Sequence, residues 1–146
     1  MKFFTIQWWC GIQQGVDHDP IPAFRQHLAT IRDRLPPDLL ALQETVSLHD
    51  ARLRKISYPA KHQTLTIQLD GCNDTGGRRK FTLRYQEVQS FTTTANPKLG
   101  LPGPHGFGDL GYDEADITPD GHFEHRLLFS SGIEVQIVFG DFGLHY

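Results

Sequence analysis

The chain has 146 residues, 38% of them hydrophobic and 21% charged, with 14 Lys and Arg against 17 Asp and Glu. That length suits a single domain over residues 1–146 with its own core, which needs no disulfide or metal staple to hold it. The composition excludes a disordered chain, and no run approaches the roughly 20 apolar residues that cross a bilayer as a helix.

Charge is unevenly spread. Residues 51–100 carry nine Lys and Arg against three Asp and Glu, whereas residues 101–146 carry one against eight. The pieces are too short to be separate domains. They predict one cationic and one anionic region on the folded molecule, and fields of that kind steer partners. Two cysteines, Cys10 and Cys72, argue against a disulfide framework. Residues 1–10 contain no apolar run of signal-peptide length, so the expected location is the cytoplasm, with no membrane contact.

Residues 3–9 read as an edge strand with Phe4, Ile6 and Trp8 on one face, although Phe4 and Trp8 are also one helical turn apart. Asp19, Pro20 and Pro22 mark a helix start, since prolines are tolerated where amides lack partners. Phe24, Leu28, Ile31 and Leu35 then recur at helical spacing as one buried stripe. Pro36 and Pro37 break that helix, and residues 38–44 form a second short one.

Beyond residue 50 the period becomes twofold. Strands are expected over residues 52–58, 65–69, 81–85, 123–129 and 133–139, the last with the cleanest alternation: Ile133, Val135, Ile137 and Phe139. Residues 112–118 look extended, and Ser131-Gly132 signals a tight turn. The expected fold is α+β, an antiparallel sheet of five or six strands with two N-terminal helices packed on one face. Residues 92–111, rich in Gly and Pro, form one long irregular loop of the kind that carries function.

Within that loop, residues 106–111 match the dinucleotide-binding glycine pattern, but no helix follows to present amides to a phosphate. Eight histidines are present without any metal-ligand spacing, so scattered surface imidazoles are the first reading. No catalytic residue, metal ligand or cofactor site is assigned. A convergence of His105, Asp109, His122 and His125 is the enzyme or metal-binding alternative. Arg52, Arg54, Lys55, Lys61, Arg78, Arg79, Lys80 and Arg84 raise nucleic acid as a ligand, ranked low because the whole chain is acidic and no nucleic-acid module is legible.

The carboxylates Asp109, Asp113, Glu114, Asp116, Asp120 and Glu124 admit two readings. One is a solvated strand edge that discourages pairing. The other is an anionic face for a basic partner.

The junction Leu48-His49-Asp50-Ala51 and the C-terminal hairpin over residues 121–139 together resemble small uncharacterised bacterial families, and are similar in build to the immunity proteins that neutralise bacterial toxins. The resemblance implies a non-catalytic protein that occupies a partner's surface, such as that of a basic toxin domain. The expected contact residues are Asp109, Asp113, Glu114 and Asp116, with His105 and Phe107 as loop anchors. A homodimer through Phe3, Phe4, Trp8 and Trp9 is a further expectation.

Overall fold

The structure, a computed structural model, describes residues 1–12, 14–15, 18–73, 75–95 and 106–146. His105 and half of the Gly/Pro-rich loop, residues 96–105, therefore lie outside the described residues.

Residues 3–9 do not form a strand. Helix α1 spans Ile6–Ile12, and Thr5 caps it, its Oγ1 accepting the N–H of Trp8 at 3.2 Å. A hydroxyl three residues before an amide satisfies a donor that the first helical turn leaves free. Phe4, ahead of the helix, meets Trp8 within it, and both rings pack against Tyr112.

Helix α2 spans Ile21–Ile31, with Pro20 at its N-cap and Asp19 one residue farther out, where Oδ1 accepts the N–H of Ile21 at 2.9 Å. Phe24, Leu28 and Ile31 are buried as the spacing predicts. After a 3₁₀ turn, helix α3 spans Pro37–Thr45 and buries Leu39 and Leu42.

Eight strands follow among the described residues: β1 (Ala51–Ser57), β2 (Leu65–Cys72), β3 (Arg78–Gln86), β4 (Ser90–Thr94), β5 (Asp109–Ile117), β6 (Phe123–Phe129), β7 (Glu134–Phe139) and β8 (Asp141–His145). The fold is thus α+β and antiparallel, but with three helices and eight strands rather than two and five or six. The strand order is β4-β7-β6-β5-β1-β2-β3-β8. β4 and β8 were not anticipated, and both lie at the ends of the sheet. Every residue of β4 is exposed, so it carries no burial pattern, and β8 is five residues long with Gly143 inside it. β4 and β5 also shorten the long loop from both ends.

The sheet is folded over on itself. Tyr85 of β3 and His125 of β6 stand four strand spacings apart, about 19 Å on a flat sheet. Yet the Tyr85 hydroxyl lies 2.7 Å from His125 Nδ1. The halves β4-β7-β6-β5 and β1-β2-β3-β8 therefore pack face to face around Ile67, Leu69, Phe81, Leu83, Ile137 and Phe139.

They join where β1 meets β5 through two residue pairs, Ala51 with Leu110 and Arg52 with Asp109. Beyond that seam β5 has a free edge. Helix α3 fills the gap, its Gln43 Oε1 accepting the N–H of Ala115 at 3.2 Å. Helix α2 lies against β5, and α3 against both β8 and β5. No helix among the described residues is long and apolar enough to cross a membrane.

Candidate functional site

The acidic stretch divides by strand alternation. Glu114 and Asp116 project to one side of β5, Asp113 and Ala115 to the other. Glu114 stands opposite Arg126, and Asp116 opposite Glu124. Arg126 serves all three carboxylates: Nε donates to Glu114 Oε2 at 3.1 Å, Nη2 to Asp116 Oδ2 at 2.9 Å and Nη1 to Glu124 Oε2 at 2.7 Å. All four side chains are buried.

Glu114 also accepts the backbone N–H groups of Lys2, Phe3 and Phe4 at 2.8, 2.7 and 2.7 Å, which fastens the N-terminal segment over the sheet. Asp116 meets Lys2 Nζ and, at 2.9 Å, His27 Nε2. Burial pushes the Asp116 carboxyl up, but hydrogen bonds from Lys2, Arg126, the Ile117 amide and His27 outweigh it and hold the group well below the usual carboxylate range.

Glu114, Asp116 and Glu124 are thus neither a solvated edge nor an outward anionic face. Phe4, one of the aromatic residues expected at a dimer contact, is also turned inward, stacked on Tyr112 at 5.0 Å. Trp9 packs so closely on Gly111 that a Cβ there would lie 2.3 Å from its ring.

On the core side, Asp113 Oδ2 lies 2.8 Å from His125 Nε2 and accepts from Gln43 Nε2. Burial, and then the Asp113 charge, push the Tyr85 phenol well above its ordinary value, so its O–H remains to donate to His125 Nδ1. That places the imidazole proton on Nε2, where it is donated to Asp113. This Asp–His–Tyr series has the order of a proton relay, but His125 and Tyr85 are shut from solvent. His122 is engaged elsewhere, its Nδ1 lying 3.0 Å from Asp120. Among the described residues no group of three or more His, Cys, Asp or Glu side chains could hold a metal ion.

Two expected contact residues, Phe107 and Asp109, do reach a concave surface, and it is formed by the basic stretch. Across β5, β1, β2 and β3 the register aligns Asp109, Arg52, Asp70 and Lys80 in one row of alternating charge. A cavity of about 470 Å³ lies along this row, lined also by Arg54, Arg78 and Cys72. A neighbouring cavity of about 410 Å³ shares Arg52 and Arg54 and is bounded by Lys55 and Phe107. Phe107 is anchored edge-on against Phe129 at 5.2 Å.

Arg54 Nε donates to Asp70 Oδ2 at 2.7 Å. Among the described residues Arg52, Arg78 and Lys80 have no carboxylate within ion-pair distance. Sequence reasoning singled out these cations and the end of the Gly/Pro loop separately. What joins them is the β1–β5 seam, for which no sequence pattern exists.

No protein-family model matches the chain, and no curated protein matches it. Among solved structures it is similar to an uncharacterized protein from Neisseria gonorrhoeae, at 12% identity and a TM-score of 0.48, over 68% of this chain and 94% of that one. So loose a likeness brings no function with it.

Proposed function

We propose that the protein is a non-catalytic, cytoplasmic binding protein that docks a protein partner on the cleft at β1–β2–β3, as an immunity-type protein occupies the surface of a toxin. The observation that carries this reading is the alternating row Asp109, Arg52, Asp70 and Lys80 along a concave surface. Interleaved carboxylates repel a phosphate backbone, whereas a protein surface can present both signs in matching register. The side chains best suited to chemistry, Asp113, His125 and Arg126, support it by being engaged inside the fold. Cys10 and Cys72, free and exposed, suit a reducing cytoplasm.

The test is capture from a lysate of the source organism with the natural chain and with an Arg52→Glu, Lys80→Glu variant of unchanged thermal midpoint. A partner held by the first and lost by the second is the expected result, along with a toxin-like reading frame beside the gene. Capture that survives the reversal removes the cleft from the reading. Binding of a labelled oligonucleotide at physiological salt replaces the protein partner with nucleic acid.

A further inference from the structure

Strand β4 ends the sheet on one side, and among the described residues β7 is its one strand neighbour. An edge strand presents unpaired backbone donors and acceptors, and folded proteins blunt such edges with charge, bulges or covering side chains. Three other free edges here are blunted. Asp38 Oδ2 of α3 accepts the N–H of Leu144 on β8 at 2.9 Å, and Gln43 of the same helix occupies the Ala115 amide on β5. Beyond the seam, β1 carries Arg54 and Lys55, with a bulge between Leu53 and Lys55.

β4 has none of these devices among the described residues. Its sequence, Ser90-Phe91-Thr92-Thr93-Thr94, holds no charge, Pro or Gly, and its register with β7 is unbroken. Aromatic and β-branched residues of this kind favour strand pairing. Phe91 and Thr93 stand opposite Ile137 and Val135, so they lie on the inner, core-lining side of the sheet. Phe91 is nevertheless 37% exposed.

We propose that β4 pairs edge to edge with β4 of a second copy of this chain, antiparallel about a twofold axis at Thr92. In that register Phe91 of each copy stands opposite Thr93 of the other, and Ser90 opposite Thr94. Aromatic and β-branched residues make favourable cross-strand pairs, and the like charges that oppose pairing of identical strands are missing from the segment. The inner faces then run on from one molecule to the next, which covers Phe91. The twofold consumes both β4 edges, so the assembly closes at two chains. β4 contributes no residue to the cationic cleft, and the inference is independent of the partner-docking reading.

Five residues a side make a small interface of the weakly associating class. Sedimentation equilibrium of the full chain therefore extends to ~1 mM. The expected result is a mass rising from one chain to two. Thr92→Lys and Thr92→Glu each set like charges face to face at the axis, and each is expected to weaken association about fivefold. An equimolar mixture of the two is expected to recover the natural affinity, because Lys then meets Glu. A single-chain mass throughout, unchanged affinity in either variant, or a mixture no tighter than the variants alone overturns the proposal. Should a variant fail to fold by circular dichroism, amide hydrogen exchange on the natural chain decides. Exchange across residues 90–94 that slows as concentration rises supports the pairing, and exchange there that is independent of concentration overturns it.

Discussion

Arg126 and Glu114 face each other across β5 and β6, with Nε 3.1 Å from Oε2 and both side chains buried. The pair does more than neutralise itself. Through Glu114 it holds the amides of residues 2–4, and through its other two nitrogens Arg126 holds Asp116 and Glu124. One guanidinium therefore links the sheet to the segment that covers it.

Replacing Arg126 with Met leaves three buried carboxylates short of their shared cation. Breaking a buried ion pair from one side costs about 3–5 kcal/mol. Urea unfolding is expected to show a loss of that order, and a loss under about 1 kcal/mol contradicts the arrangement.

Acid sensitivity follows from Asp116. Its folded carboxyl is held below the ordinary value, so the unfolded chain takes up a proton first as pH falls. This contribution to stability is complete above the ordinary carboxylate range near about pH 4 and declines as pH is lowered through and beneath it. Asp116→Asn is expected to flatten that part of the stability profile, measured by urea midpoints across the acid range.

Tyr85 makes the opposite prediction at alkaline pH. Its phenol is raised in the folded state, so stability is retained below about pH 10 and falls as pH rises beyond it, where the unfolded chain loses the proton. Tyr85→Phe removes the donor to His125 Nδ1 and is expected to cost about 1–3 kcal/mol. Nitrogen chemical shifts of His125 in the natural chain are expected to show the proton on Nε2, and a proton on Nδ1 alone contradicts the hydrogen-bond order.

Gly111→Ala sets a methyl group against the Trp9 ring, at a site where the Cβ position lies 2.3 Å from it. Overpacking of this kind costs about 1–3 kcal/mol. A shifted tryptophan emission maximum and a lower thermal midpoint are the expected readouts. An unchanged spectrum shows that α1 does not rest there.

The interior was legible where two-sided burial imposes a pattern. Ile67, Leu69, Phe81, Leu83, Ile137 and Phe139 alternate in the sequence and fill the space between the two halves. The edges were not, because β4 exposes all five residues and has one neighbour to specify it. Helix α1 was ambiguous by periodicity, and the deciding signal, Thr5 three residues ahead of Trp8, is a capping detail rather than a pattern. Glu114 and Asp116 looked like surface charge because the sequence between residues 101 and 125 holds no Lys or Arg. Their counterions come from Arg126, across the hairpin, and Lys2, more than a hundred residues away.

The interleaving of the strands has a consequence for biosynthesis. One half of the folded sheet joins early strands to the last one, β8 closing the flank of β3, and the half it packs against is completed only at β7. A nascent chain emerging from the ribosome therefore exposes the apolar face around Phe81, Leu83 and Tyr85 until nearly all of it has been translated, and a stop codon before residue 141 leaves β3 with β2 as its one remaining strand neighbour.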